Sequence, residues 1–383
     1  MYDLVIIGGG VWGTSAALTA ARADFGRVLM LERNAYVGGE SSGKSGGIIS
    51  QLIAHPDDQR WVARSREWLS EAEARSGDAS MIQRWGGLVL CTEPEARQLD
   101  RVADGLRARG IPFELWDRQD IQAHFPLIDG IGPEMFGLYS PTDWHVNPTA
   151  YCQTTFEAAR AAGVEGRLGV AVTGIHPESD QVVLDTSDGR IEAARVLIAA
   201  GTWTHKLTQM AGIDIPYRPY RVQLSSIAFA DSGQLPILSE TATDMYITPD
   251  GPTNLLAGDG TQLWEHDPDN YNQKGDAAFE QEIAAGLMRL VSAAQRAELR
   301  RSWAGLCGGT PDRRPLLGPV ADRLFIACGD NGFGVVRGPA LGEQACRIAM
   351  GFEEAAPQVN PFRFPPGEFT LRPGSGGMFP EHE

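Results

Sequence analysis

The sequence predicts an α/β fold, α+β overall: a parallel sheet assembled from three separated stretches of chain, with a mainly antiparallel sheet inserted between them. Three observations carry this. The continuous apolar runs DLVII (3–7), RVLMLE (27–32), ARVLIAAGTW (194–203) and RLFIACG (323–329) read as strands buried on both faces. Small-residue helical stretches and glycine turns follow such runs at the start and at the end of the chain. Between them, YRPYRVQLSSIAFA (217–230) and MYITPDGPTNLLAGD (245–259) alternate and turn as an antiparallel sheet does.

The first βαβ unit is the most informative element. Gly8, Gly10 and Gly13 follow the opening strand in G-x-G-x-x-G spacing, TSAALTAARA (14–23) reads as the helix, and the second strand ends on Glu32. This is a Rossmann-like dinucleotide fingerprint with its context intact. Gly8 permits the tight turn, Gly10 lets backbone approach a pyrophosphate, Gly13 lets helix pack on strand, and Glu32 can take both ribose hydroxyls. Next comes GGESSGKSGG (38–47). Its N–H groups and hydroxyls can meet a phosphate or a ring system, with Lys44 adding positive charge; the other reading is a plain surface loop.

Further along, 57–75 reads as an amphipathic helix with Trp61, Trp68 and Leu69 on its apolar face. GGLVLCTE (86–93) reads as a strand, followed by a polar helix through about 108 and a loop at FPLI (125–128). A helix over 148–165 opens with proline and closes at Gly163, a hairpin turns at Asp188-Gly189, and a helix covers 278–296. The tail from Pro357 reads as a surface extension, and there is no internal repeat.

Composition bounds the function. A chain of 383 residues exceeds one ordinary core, so two lobes are expected. A net charge of -16 and the lack of any Lys/Arg run exclude a nucleic-acid binder and argue against anionic membranes. No apolar run approaches the roughly 20 residues of a membrane span. Five cysteines (Cys91, Cys152, Cys307, Cys328, Cys346) without a C-x-x-C point to a reducing compartment, and a first strand at Asp3 leaves no signal peptide; the expected location is cytoplasmic. Seven scattered histidines give no metal spacing, and EHDPDNYN (265–272) reads as a turn rather than a calcium loop.

Seven blocks in order resemble one family: VIIGGGVWG (5–13), SSGKSGG (41–47), DWHVNP (143–148), RVLIAAGTWTHKL (195–207), PYRVQ (219–223), RSWAGLCGGTPDRRPLLG (301–318) and GDNGFGVVRGPALG (329–342). The chain resembles the FAD-dependent D-amino-acid oxidase superfamily, in its glycine oxidase, sarcosine oxidase and D-amino-acid dehydrogenase branch. The resemblance implies an FAD-binding domain of residues 1–85, 145–213 and 304–383, and a substrate domain of 86–144 and 214–303. It implies FAD contacts from Gly8, Gly10, Val11, Trp12 and Gly13 (pyrophosphate), Glu32 and Arg33 (ribose), and Ser41, Ser42, Gly43, Lys44, Ser45, Gly46 and Gly47 (phosphates and flavin). Val172 would meet adenine, Gly201 and Trp203 would flank the cofactor, and Gly332, Phe333, Gly334 and Val335 would open the last helix beside the flavin.

The departures concern the substrate. Relatives clamp a carboxylate with an arginine where this chain has Cys307, or with an arginine and a lysine where it has Ser50 and Val336. The sarcosine oxidases' oxygen-activating lysine corresponds to Leu256. Cys307 either tethers flavin or fills space, with non-covalent FAD favoured. Arg337 either reaches an anionic substrate or pairs with an acid, and Tyr246 either overlies the flavin or is core. Together these readings predict oxidation of a C–N bond in an amine or amino acid, with a secondary amine or modified amino acid favoured, and with oxygen or another electron acceptor as co-substrate. The rival readings are a 2-hydroxy-acid oxidoreductase, which needs a histidine-like base, and a flavin-bound non-catalytic subunit. The oligomeric state is not legible.

Overall fold

A computed structural model describes residues 1–53, 55–92, 96–265 and 267–364. Six strands form one sheet in the spatial order Leu316–Ala321, Leu324–Cys328, Val196–Ile198, Leu4–Ile7, Val28–Glu32, Glu165–Leu168. All neighbours are parallel except the first pair. The alternation explains the continuous apolar runs. Leu4 and Ile6 enter one core, under helices, while Val5 and Ile7 enter another, under a three-stranded antiparallel sheet. With both faces covered, no position in the strand has reason to be polar.

The helix Val11–Arg22 lies against the last helix, Gly338–Met350, at a distance only glycine allows. A Cβ on Gly342 would overlap the carbonyl oxygen of Trp12, and one on Gly13 would overlap that of Gly8. Trp12 Nε1 donates to the Gly334 carbonyl at 2.9 Å, joining segments 322 positions apart.

The second large sheet has nine strands. It runs Leu263–Trp264, Arg218–Ala228, Asn254–Gly258, Tyr246–Pro249, Ile237–Glu240, Gly87–Thr92, Met135–Ser140, Glu114–Trp116, and Glu298–Gly309 pairs with Arg218–Ala228. Only Ile237–Glu240 with Gly87–Thr92 is parallel. Its outer face packs on the helix Ala277–Leu290 through a separate core that includes Phe279, Ile283 and Leu287.

Several boundaries differ from expectation. The divisions expected at 303/304 and 144/145 fall inside the strands Glu298–Gly309 and Trp144–Val146. The helix expected over 278–296 stops at Leu290, where Val291 turns extended and Asp129 takes the N–H and hydroxyl of Ser292; a 3-10 turn, Ser292–Arg296, follows. The run 194–203 holds only a short strand, because Gly201, at φ +52°, starts a 3-10 turn through Trp203. The helix over 148–165 ends at Ala161, and Glu165–Leu168 joins the parallel sheet. Pro357–Val359 is a 3-10 turn; residues 365–383 of the expected extension, and Glu93 of the expected strand, lie outside the described residues. No helix of the described residues is long and apolar enough to cross a membrane.

Gly342→Ala should destabilise the chain by about 1–3 kcal/mol, the usual cost of overpacking, because its obstacle is backbone rather than a flexible side chain. Urea unfolding measures this, and an unchanged midpoint would show that the two helices can separate freely.

Candidate active site

A cavity of about 700 Å3 opens between the carboxyl ends of the parallel strands and the inner face of the nine-stranded sheet. This is where an open α/β sheet presents free helix N-termini. Gly8, at φ +116°, turns the chain out of the first strand. The helix starting at Val11 has no side-chain cap. Val11 N–H instead reaches Ser42 Oγ at 3.1 Å, and Gly38 N–H reaches the Gly9 carbonyl at 2.8 Å. The glycine turn and the 38–47 loop therefore form one wall.

Glu32 is fixed from both sides. Its Oε2 accepts Gly9 N–H at 2.7 Å and its Oε1 accepts Asn34 N–H at 2.8 Å. Burial raises its carboxyl pKa, while these two backbone donors oppose the shift. Each oxygen keeps lone-pair capacity for a hydroxyl donor from the cavity.

A polar strap crosses the rim beside Glu32. Arg33 stacks over the Trp203 ring at 3.9 Å and donates to Asp269 at 2.8 Å. Asp269 also accepts from Trp203 Nε1 at 2.6 Å and Lys206 Nζ at 2.5 Å. Burial works against the Asp269 charge, but Lys206, Trp203 and Arg33 outweigh it and hold the carboxyl at about 2. A depressed carboxyl stabilises above its ordinary range, so this closure persists at neutral pH and is lost only as pH falls toward 2. Lys44 Nζ bonds Glu40 at 3.0 Å and Tyr271 at 2.8 Å. Asp269 and Tyr271 therefore tie down two sides of the cavity mouth.

At the inner end, Tyr220, Leu224, Tyr246 and Cys307 project from the nine-stranded sheet, facing Gly46, Ser50, Asp330 and the turn Gly332–Val336. Gly332, at φ +84°, has open space where a Cβ would stand, apart from Tyr220 Oη at 3.5 Å. Burial pushes the Cys307 thiol well up, and the neighbouring Asp330 carboxyl adds to it. Asp330 is itself raised by burial, against donors that include Gly308 N–H at 2.7 Å. A thiol kept protonated is a poor nucleophile.

These features suit a flavin dinucleotide. The glycine cradle, the uncapped helix and the acid at the strand end match the pyrophosphate and ribose. The open glycine turn at the other end gives a ring close access to backbone N–H groups.

The cavity brings together most of the residues expected there. Gly8, Gly10, Val11, Trp12, Glu32, Arg33, Ser41, Ser42, Lys44, Ser45, Gly46, Gly47, Ser50, Val172, Gly201, Trp203, Tyr246, Cys307 and Gly332, Phe333, Gly334, Val335 all line it. Four expectations are corrected. Arg337 does not line the cavity, so of its two readings pairing with an acid holds rather than reaching a substrate: it is buried, with Nη1 on Asp58 at 2.7 Å and Nη2 on the Asp330 carbonyl at 2.7 Å. Gly13 and Gly43, which the resemblance places on pyrophosphate and flavin, do not line the cavity; Gly13 packs helix on strand as its spacing predicts, and a Cβ on either would overlap a backbone carbonyl, of Gly8 and Gly38 respectively. Gly332–Val335 precede the last helix, which begins at Gly338. Leu256 shares a sheet face with Tyr246 but lies beyond the lining. Sequence reasoning missed Asp269, Tyr271 and Asp330; only the clustering of polar residues in 265–272 hinted at the first two.

Fold and site define a dinucleotide-binding oxidoreductase with a second sheet closing one side of the cavity. The family described as FAD dependent oxidoreductase (DAO) matches residues 3–348, and the chain belongs to it. FAD is that family's cofactor. The chain is similar to mitochondrial sarcosine dehydrogenase of Mus musculus, at 24% identity over 361 residues, covering 89% of this chain and 39% of that protein. It is also similar to 4-methylaminobutanoate oxidase (formaldehyde-forming) of Paenarthrobacter nicotinovorans, at 25% identity over 388 residues, covering 94% of this chain and 45% of that one. The chain thus spans less than half the length of these two curated relatives. Among solved structures, glycine oxidase from Geobacillus kaustophilus shares the fold, with a TM-score of 0.83 and 24% identity over 95% of this chain and 99% of that one.

Two outcomes are expected for the cofactor. Glu32→Ala should weaken FAD binding by about 1.5–3 kcal/mol, as for hydrogen bonds to a charged group; unchanged affinity in a deflavinated titration would remove Glu32 from the ribose. Acid precipitation should leave the yellow chromophore in the supernatant; colour in the pellet would make Cys307 the tether.

Proposed function

We propose that the chain oxidises a C–N bond of an amine or amino acid, with a secondary amine, or an amine whose carboxylate lies away from the oxidised carbon, as its best substrate. The observation that carries this is the charge of the inner cavity. Arg33, Lys44 and Lys206 are the cations lining the cavity among the described residues, and each is engaged by a carboxylate at the rim. The inner end has Asp330 instead, with uncharged Ser50, Val336 and Cys307, and Glu240, also in the lining, is already paired with Arg289. A carboxylate buried beside these groups would lack a counter-charge, which is costly. An amine meets no such penalty. One curated relative is named for 4-methylaminobutanoate, a secondary amine whose carboxylate lies away from the nitrogen, which agrees with this reading.

FAD, when bound, would accept a hydride from the C–H bond of the carbon attached to nitrogen, and water then hydrolyses the resulting imine. The chain's own part is to orient the amine and keep bulk water out, through Leu224, Val222, Val89 and the Tyr246 ring. Oxygen or another acceptor closes the cycle. The 2-hydroxy-acid alternative would need a base at the carbinol, and no histidine of the described residues lines the cavity.

Anaerobic flavin reduction should be faster with 4-methylaminobutanoate or N-methylbenzylamine than with glycine, sarcosine or D-alanine, and absent with lactate. Equal efficiency with the small α-amino acids would reveal an anchor elsewhere; reduction by lactate alone would replace this reading with the hydroxy-acid one.

A further inference from the structure

The strand Ile48–Ile49 leads into Ser50, whose side chain is buried at the cavity wall. Ser50 Oγ donates to Asp143 Oδ2 at 2.5 Å and accepts Leu52 N–H at 3.0 Å. Asp143 does not line the cavity and is 1% exposed. Its Oδ1 accepts Gln51 N–H at 3.1 Å and Ser140 Oγ at 2.8 Å. Gly87 closes its far side, since a Cβ there would overlap Oδ2. The only link from this carboxylate to the cavity among these contacts is the Ser50 hydroxyl. That hydroxyl has its proton committed inward and one lone pair still open.

We propose that Ser50 and Asp143 form a proton relay that converts a bound substrate ammonium into the free amine. The inference rests on the amine-oxidation reading. The substrate N–H proton moves to Ser50 Oγ as the Ser50 proton moves to Asp143 Oδ2. The nitrogen regains its lone pair, Ser50 ends as it began, and Asp143 becomes a neutral acid. Its proton is drawn off when the final acceptor takes up two electrons and two protons. The step matters because C–N oxidation needs the nitrogen lone pair, while alkylamines are mostly protonated at neutral pH.

The surroundings suit a group that alternates between carboxylate and acid. Burial raises the Asp143 carboxyl, which makes it a better proton acceptor; the bonds from Ser50, Gln51 and Ser140 oppose this. The charged and titratable neighbours are Arg66, Arg84, Tyr139 and His145. Arg66 favours the carboxylate through its charge, but its guanidinium lies over the Trp144 ring at 3.4 Å, with a buried Nη1 that has no hydrogen-bond partner. Arg84 lies farther out, 5.3 Å from the same ring. Burial lowers the His145 pKa, so this neighbour stays neutral, and burial raises Tyr139. Among the described residues no cation is hydrogen-bonded to Asp143, so protonating it breaks no direct ion pair there.

The test is the pH profile of anaerobic flavin reduction, as kcat/KM, for the holoenzyme with N-methylbenzylamine. Wild type should rise at acid pH with Asp143 ionisation and then stay level through neutral pH. Ser50→Ala and Asp143→Asn should instead rise about tenfold per pH unit up to the amine pKa, because only free amine reacts. At pH 7 Ser50→Ala should be about 10²-fold slower, at the low end for proton-transfer catalysis, and near pH 10 the gap should close. Ser50→Thr, which keeps the hydroxyl, should restore the wild-type shape. A purely structural role would lower the rate by one factor at every pH, and that result would overturn the relay. So would a wild type that already rises tenfold per unit, with amine oxidation intact. If neither this amine nor 4-methylaminobutanoate reduces the flavin at any pH, the functional reading itself fails, and the relay with it.

Discussion

The fold depends on one close approach: the helix Val11–Arg22 touches backbone on two sides. Gly13 brings it onto the Gly8 carbonyl, and Gly342 brings the last helix onto the Trp12 carbonyl. The Trp12–Gly334 bond then fixes the turn before that helix. Both halves of the cavity follow. The start of the first helix lines one end of it, and the turn 332–336, anchored on the same tryptophan, lines the other. A side chain at Gly13 or Gly342 would push apart the two walls of the cavity.

The charges of the site divide accordingly. At the rim, cations and acids are paired across segments, and Asp269 holds Arg33, Trp203 and Lys206 in one strap. At the inner end, Asp330 is held by backbone N–H donors, and Glu240 is paired with Arg289, which lies outside the cavity lining. A neutral or amine-bearing ligand suits such a wall, and an anion does not. The buried Asp143 behind Ser50 extends the same pattern one layer deeper.

Much of this was legible because it is local. The first βαβ unit shows itself in spacing alone, since its glycines, its helix and Glu32 act within thirty residues. The antiparallel sheet was visible through alternation, although Glu298–Gly309 runs on past the boundary that the family resemblance implied. What stayed hidden is pairing between distant segments. Arg337 stood beside the cavity-lining Val336 in sequence, but Asp58, 279 positions away, draws its guanidinium into the core. Asp269 looked like part of a turn because its partners, Arg33, Trp203 and Lys206, lie in segments far removed in sequence. Leu256 matched a functional position by order along the chain, but the register of the sheet places it past the lining.

The central claim is that one cofactor spans both walls in a fixed direction. A crystal structure of the FAD-bound protein tests it most directly. The account predicts adenosine ribose density at Glu32, pyrophosphate over Gly8–Val11, and the flavin ring between Tyr246 and the turn at Gly332–Val335. Density in the reverse direction, or a ring lying outside that gap, would contradict it.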